Sequence, residues 1–162
     1  MPYFLRTLIS YPVALNTYVH EFAMLDVDGD GDQDVVLARF GPPAEFAGIP
    51  IQVLLNNGSG GFTDGTSTIF PSGAPVTFHP RGIAIADYNG DGRPDLFIAD
   101  HGWDDIPYPG AQNTLLLSSG AHGFVDGTDR LPQLSDYSHS TTAGDIDGDG
   151  DIDILVMNTN GG

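Results

Sequence analysis

The sequence predicts an all-β protein built from repeated units of four short antiparallel strands, and two observations support this. A nine-residue loop rich in aspartate and glycine occurs three times, beginning at Asp26, Asp87 and Asp145. The copies are about 60 residues apart, a spacing typical of repeat architectures. Short apolar runs bounded by turn residues lie on both sides of every copy, and such runs indicate buried strands.

The three loops have the same pattern and predict the same chemistry. Each places an oxygen side chain at positions 1, 3, 5 and 9 and glycine at positions 4 and 6. Ca²⁺ accepts about six to eight oxygen ligands, and it would relieve the repulsion between these carboxylates. We therefore predict that each loop binds Ca²⁺ through those side chains and the backbone carbonyl of position 7. The predicted ligands are Asp26, Asp28, Asp30, Asp32 and Asp34 in loop one (residues 26–34), Asp87, Asn89, Asp91, Arg93 and Asp95 in loop two (residues 87–95), and Asp145, Asp147, Asp149, Asp151 and Asp153 in loop three (residues 145–153).

Other interpretations of the loops are less consistent with the sequence. A plain Asp-Gly hairpin turn would explain one copy, but three copies in the same phase favour a metal loop. An EF-hand needs a glutamate at position 12, where this chain has Leu37, Ile98 and Val156. The loops contain neither Cys nor His, which argues against zinc and copper. Whether Ca²⁺ or Mg²⁺ occupies them stays open.

A second motif completes the repeat. Residues 53–66 and 115–128 share an apolar run, a Gly-rich turn and a Phe-x-Asp-Gly-Thr segment, which predicts a third and a fourth strand. Four short strands in such a repeat make one blade of a β-propeller. The predicted blades cover residues 20–66, 81–128 and 139–162, with residues 1–19 forming an outer strand and a connection.

The Asp-x-Asp/Asn-Gly-Asp-Gly-x-x-Asp loops between apolar strands, with the Asn-Asn-Gly-Ser-Gly-Gly-Phe turn at residues 56–62, resemble a known family. It is the FG-GAP/VCBS repeat family, the blades of integrin-α-like β-propellers, and this chain is more similar to its VCBS side. The resemblance covers roughly residues 20–160. It implies an extracellular or cell-surface protein that holds Ca²⁺ in its strand 1–2 loops and serves in adhesion or ligand binding.

Composition narrows the set of partners. The chain carries a formal net charge of −17, which excludes nucleic acid and anionic membranes as electrostatic partners. It has no cysteine, so disulfides and thiol chemistry are absent. No apolar run is long enough to span a membrane. Residues 1–21 do not have the pattern of a signal peptide.

The predicted third blade has only two strands, whereas a propeller typically has about four to eight complete blades. We expect either that the chain is part of a longer propeller or that it closes with a second copy. In the second case a homodimer forms a six-bladed ring. Residues 3–10 of each copy then add a strand to the third blade of the other.

A candidate ligand patch lies in the loop between the second and third strands of blade two. His101, Trp103, Asp104, Asp105 and Tyr108 combine rings with carboxylates, which suits a carbohydrate or a protein partner. The alternative is that Trp103 and Tyr108 pack between blades. In an up-and-down blade this loop lies on the face opposite the Asp loops.

Two further features bear on function. His20, Arg81 and His139 stand six residues before their loops, at equivalent positions, and the two histidines are a second metal-site hypothesis near the central channel. We find no nucleophile elbow, phosphate loop or zinc-binding helix motif. A binding or adhesion module without enzymatic activity is therefore favoured. The alternative is an accessory or catalytic propeller of an extracellular polysaccharide-degrading enzyme.

Overall fold

The computed structural model describes residues 17–42, 47–120 and 123–159, and this part of the chain is all-β, as predicted. The strands are β1 Tyr18–Leu25, β2 Asp34–Phe40, β3 Ile49–Pro50, β4 Gln52–Asn56, β5 Phe62–Asp64, β6 Val76–Thr77, β7 Pro80–Ala86, β8 Asp95–Asp100, β9 Thr114–Ser118, β10 Phe124–Asp126, β11 Ser138–Gly144 and β12 Asp153–Asn158. The predicted outer strand at residues 3–10 lies outside the described residues.

The strands form antiparallel sheets in which neighbours in sequence are neighbours in space. Sheet one has the order β1-β2-β4-β5, and sheet two has the equivalent order β7-β8-β9-β10. Sheet three consists of β11 and β12 among the described residues. The Asp loops join the first two strands of each sheet, so both complete sheets have the predicted four-stranded blade topology.

The first strand of every sheet carries a bulge at the same place. The pairing register shifts between Val19 and Glu21, between Pro80 and Gly82, and between Ser138 and Ser140. The extra residue at each bulge is His20, Arg81 or His139. The structure therefore confirms that these three positions are equivalent, as their spacing from the loops predicted.

Sheet two is buried on both faces, and the side chains of its strand β8 pack into a different core on each face. Leu96 and Ile98 point into a core shared with sheet one, where Val36 and Val53 are also fully buried. Phe97 and Ala99 point the other way and pack against sheet three. Side chains alternate between the two faces of a strand, so β8 contributes to two cores at once.

The inner strand β7 contacts both β1 and β11, so the three sheets stack through their first strands in chain order. This is the arrangement of successive propeller blades around an axis. The sheets do not close into a barrel within the part of the chain that the structure describes.

Three small elements were not predicted. A short ladder pairs β3 with β6, a four-residue helix α1 spans Thr66–Ile69, and a 3-10 turn spans Thr128–Arg130. Both helical turns begin at the threonine of the repeated Asp-Gly-Thr segment. Thr66 Oγ1 accepts a hydrogen bond from Val53 N–H (2.9 Å), and Thr128 Oγ1 accepts the equivalent bond from Leu115 N–H (3.1 Å). No described helix has the length and apolar character needed to cross a membrane.

Candidate metal loops and the opposite face

All three Asp loops fold around their first aspartate through the same hydrogen bonds. In loop one, Asp26 Oδ1 accepts from Gly29 N–H (2.8 Å) and Oδ2 accepts from Gly31 N–H (3.0 Å). Asp87 and Asp145 accept the equivalent pairs of glycine N–H groups in their own loops. Gly29 and Gly31 have φ values of 80° and 95°, a region that L side chains rarely adopt. This explains why glycine is needed at positions 4 and 6.

The ninth residue of loops one and two is fully buried and ties its loop to the third strand of its sheet. Asp34 Oδ2 accepts from Val27 N–H and Oδ1 accepts from Asn56 N–H, both at 2.8 Å. In loop two, Asp95 accepts from Tyr88 N–H (2.8 Å) and Ser118 N–H (2.7 Å). Sequence analysis assigned these aspartates to the ion alone and missed this structural role.

In loop three the ninth residue makes the bond within its own loop but has no described third strand to bind. Asp153 Oδ2 accepts from Ile146 N–H (2.9 Å), and Asp153 is only partly buried. The described residues offer no third strand to this sheet. Asp95 and Asp153 therefore differ both in burial and in the bond to the third strand.

Three of the predicted ligands converge in loops one and three. One oxygen each from Asp26, Asp28 and Asp34 lies within 4.8 Å of the others, and the same holds for Asp145, Asp147 and Asp153. These are positions 1, 3 and 9, and the group does not include position 5 (Asp30 or Asp149). Their oxygens suit a hard cation such as Ca²⁺.

The remaining predicted positions have other contacts. Asp30 and Asp149 each accept a hydrogen bond at 2.9 Å from the backbone N–H of position 7, Asp32 or Asp151. A Cβ on Gly58 would lie 2.5 Å from Asp32 Oδ2, so the Asp32 side chain lies against the turn between β4 and β5. That turn and loop one therefore lie on the same face.

The electrostatics of loops one and two differ. Burial raises the pKa of Asp28, and the nearby carboxylates of Asp34, Asp30 and Asp26 raise it further, against a hydrogen bond from the Asp30 backbone. In loop two, Arg93 Nη2 lies 2.8 Å from Asp91 Oδ2. Desolvation works to raise the pKa of Asp91, but hydrogen bonds from Arg93 and Asn89 and the Arg93 charge lower it overall.

At the opposite end of sheet two, the predicted ligand patch is divided. Trp103, Asp104 and Asp105 line a cavity of about 320 Å³ together with Phe40 and His79. His101 is not a surface residue, since only 6% of it is exposed. Tyr108 is exposed outside this cavity, and its carbonyl accepts a hydrogen bond from Tyr137 Oη. The five residues therefore do not form one surface, because the chain turns His101 inward directly after β8.

Aromatic and imidazole rings form a row that begins at the cavity wall with Phe40 and His79. His79 stacks on Phe40 at 4.9 Å between ring centroids and lies 5.2 Å from His20. His101 lies 5.0 Å from His139. The rings of His20 and His139 thus border the pair formed by His79 and His101. His79 was not singled out from the sequence, because no spacing rule distinguishes it.

His79 and His101 share one carboxylate. Asp104 Oδ2 lies 3.2 Å from His79 Nδ1 and 2.7 Å from Arg81 Nη2, and Asp104 Oδ1 lies 3.0 Å from His101 Nδ1. Burial lowers the pKa of His79 to about 4, with the Arg81 charge as the next cause. Burial also lowers the pKa of His101, and Asp104 opposes this.

The stacked antiparallel sheets with an Asp/Gly loop in each define a β-propeller-type repeat protein. Residues 26–98 match the family model described as FG-GAP-like repeat, a segment that runs from loop one to the second strand of sheet two. This match supports the resemblance to the FG-GAP-like repeat family that the motifs predicted. Its placement on the VCBS side stays a prediction. No curated protein matched the chain.

Proposed function

We propose that this chain is a calcium-binding propeller module that uses its Asp loops as rigid cross-links and presents a binding surface at the other end of its sheets. The observation that carries the proposal is the convergence of carboxylates at positions 1, 3 and 9 in loops one and three. The family match supports the repeat fold, and calcium, ligand and an extracellular or cell-surface location are our inferences.

The donor set favours a hard cation. Candidate ligand atoms that are all carboxylate oxygens, with no imidazole or thiolate among them, suit Ca²⁺, and Mg²⁺ would keep more of its own water. Asp26, Asp28 and Asp34 would hold the ion in loop one, and Asp145, Asp147 and Asp153 would do so in loop three. Bound Ca²⁺ supplies positive charge that offsets the repulsion between these side chains. Because Asp34 also accepts from Asn56 N–H, the ion would stabilise the link between loop one and β4.

The test compares metal-free protein with protein in excess Ca²⁺ or Mg²⁺, by thermal unfolding and titration calorimetry. An ion that binds only the folded state at a hundredfold excess over its Kd adds about 2.7 kcal/mol per site. We expect Ca²⁺ to raise the Tm more than Mg²⁺ does. If Ca²⁺ neither binds nor raises the Tm, the loops are structural turns and the proposal is wrong.

A matched pair of variants locates the ion. Asp28→Asn and Asp147→Asn place asparagine where loop two already has Asn89, so the loops should keep their fold. We expect each variant to weaken one Ca²⁺ site with little change in metal-free stability. Asp129→Asn, an exposed acid outside the loops, is the control for the change in net charge.

The cavity lined by Phe40, Trp103, Asp104 and Asp105 is our candidate ligand site. An aromatic face beside carboxylates can stack on a sugar ring and hydrogen-bond to its hydroxyl groups. We expect a glycan array to give signals that Trp103→Ala removes, without cleavage of the bound glycan. A protein partner would give no array signal, and release of reducing ends would favour the polysaccharide-degrading alternative.

A further inference from the structure

His79, His101 and Asp104 lie together at the end of sheet two remote from loop two. His79 directly precedes β7 and His101 directly follows β8, and these strands are paired. The backbone N–H of His101 donates to the carbonyl of His79 at 3.1 Å. The hairpin itself therefore places the two imidazoles side by side.

The donor atoms are spaced like the ligands of a small ion. One atom from each of His79, His101 and Asp104 lies within 4.8 Å of the others. The Asp104 oxygens lie 3.0 Å from His101 Nδ1 and 3.2 Å from His79 Nδ1. Ligands about 2.0–2.1 Å from a tetrahedral ion are about 3.3 Å apart. The three side chains are therefore close enough together to reach one ion, although the two contacts end on different oxygens of Asp104.

The burial of His101 and the missing hydrogen bond at its Nδ1 are a second, independent reason to expect an ion. The residue is more than nine-tenths buried, and its Nδ1 makes no hydrogen bond of acceptable geometry despite facing Asp104 Oδ1. Buried polar atoms in native proteins nearly always have a partner, so such an atom calls for an explanation. An ion between His101 and Asp104 would supply the missing partner.

Arg81 completes the surroundings of the site. Its Nη2 lies 2.7 Å from Asp104 Oδ2, which fixes the carboxylate and leaves Oδ1 facing His101. Hydrogen-bonded partners of this kind commonly orient metal ligands. The guanidinium charge opposes a cation, so we expect weaker binding than at a structural zinc site.

We propose that His79, His101 and Asp104 bind a divalent transition metal ion of the zinc class. Two imidazole nitrogens and one carboxylate favour such an ion over Ca²⁺ or Mg²⁺. His79 and Asp104 line the cavity beside Phe40 and Trp103, which provides a path of entry. The site shares no residue with the Asp loops and does not depend on calcium in them.

The test uses the full chain in excess Ca²⁺, which protects the loops, and titrates Zn²⁺ by calorimetry and Co²⁺ by visible absorption. We expect one ion per chain at this site and a tetrahedral cobalt spectrum. Asp104→Asn and His79→Gln should each weaken binding at least tenfold. Asp104 has a 48% exposed side chain, so Asp104→Asn should still fold, as circular dichroism will verify.

Two neighbouring histidines are matched controls. His139 and His20 contact the rings of His101 and His79 but lie outside the cluster. His139→Gln and His20→Gln should therefore retain the ion. The proposal is overturned if the native chain binds neither metal, if Asp104→Asn leaves affinity unchanged, or if the control variants reduce binding as much as His79→Gln does.

Discussion

At the scale of single residues, the aspartate at position 9 has a role that its neighbours in the loop do not share. Asp95 is fully buried, yet both of its oxygens accept backbone hydrogen bonds, from Tyr88 within loop two and from Ser118 at the end of β9. Buried carboxylates are stable only when they are well hydrogen-bonded. Asp95 therefore stabilises the blade even before any ion binds.

The first prediction compares Asp95→Asn with Asp153→Asn in metal-free protein. An asparagine amide would face a backbone N–H donor at position 95, and we expect a loss of about 3 kcal/mol in the free energy of unfolding. Asp153 makes one such bond and is partly exposed, so its loss should be below about 1.5 kcal/mol. Urea unfolding in EDTA measures both. Equal losses would contradict the cross-link to the third strand.

At the scale of elements, the three Asp loops share one motif but differ in the charge of their candidate ligands. Loop two has three carboxylates and Arg93 at its odd-numbered positions, whereas loops one and three have five carboxylates each. Arg93 Nη2 already contacts Asp91 Oδ2. Fewer ligand charges generally weaken Ca²⁺ binding, so loop two should have the lowest affinity.

The second prediction is that loop two loses calcium first and that Arg93→Gln tightens it. The substitution removes a positive charge and frees Asp91, so we expect the weakest Ca²⁺ site to gain several-fold in affinity. Titration calorimetry resolves the sites, and Arg130→Gln, outside the loops, is the control. If the weakest site is unaffected by Arg93→Gln, the ranking by charge is wrong.

The third prediction concerns the segment after β8, which folds back so that the backbones of Gly102 and Gly110 lie close together. A Cβ on Gly102 would lie 2.3 Å from the Gly110 carbonyl carbon, and Gly102 has a φ of 75°. Gly148 has a similar φ of 80°, but a Cβ there would meet nothing within 4 Å.

Strain at positive φ costs about 1–2 kcal/mol, so Gly148→Ala should lose about that much in metal-free protein. Gly102→Ala carries the clash in addition and should lose clearly more, and it should also disturb the cavity beside Trp103. Thermal unfolding in EDTA with tryptophan fluorescence tests both effects. Equal losses would mean that the two backbones do not approach as closely as described.

At the scale of the whole molecule, the two outermost sheets expose apolar side chains. Phe22 (62% exposed) and Met24 lie on the free face of sheet one, and they line a cavity of about 250 Å³ with neighbouring apolar residues. Leu155 and Met157 (58% exposed) lie on β12. Exposed apolar faces and unpaired strand edges favour association.

The fourth prediction tests the homodimer alternative, in which the 162-residue polypeptide self-associates through these surfaces to form a six-bladed ring. Phe22→Lys and Met157→Lys should each shift the population toward monomer while the chain stays folded, as circular dichroism will verify. Val125→Lys, an exposed apolar residue of β10 in sheet two, should have no effect. Sedimentation in Ca²⁺ measures the oligomeric state, and a monomer at high concentration would rule out the six-bladed ring.

The sequence alone determined the features of this protein that depend on local chemistry. The Asp loops, their glycine hinges, the flanking strands and the equivalence of His20, Arg81 and His139 all depend on spacing within about ten residues. Such short-range patterns constrain backbone conformation directly. The repeat spacing then predicted four-stranded blades, and the structure confirms two of them.

Contacts between distant residues were decided only by the tertiary structure. Asp34 reaches Asn56 because β2 pairs with β4, and Asp104 reaches His79 and Arg81 because the segment after β8 turns back over the start of β7. Individual contacts between residues more than twenty positions apart, such as these, have no spacing signature in a single sequence. Their approach depends on how the sheets pair and pack, which is why His79 was missed and the buried position of His101 was not predicted.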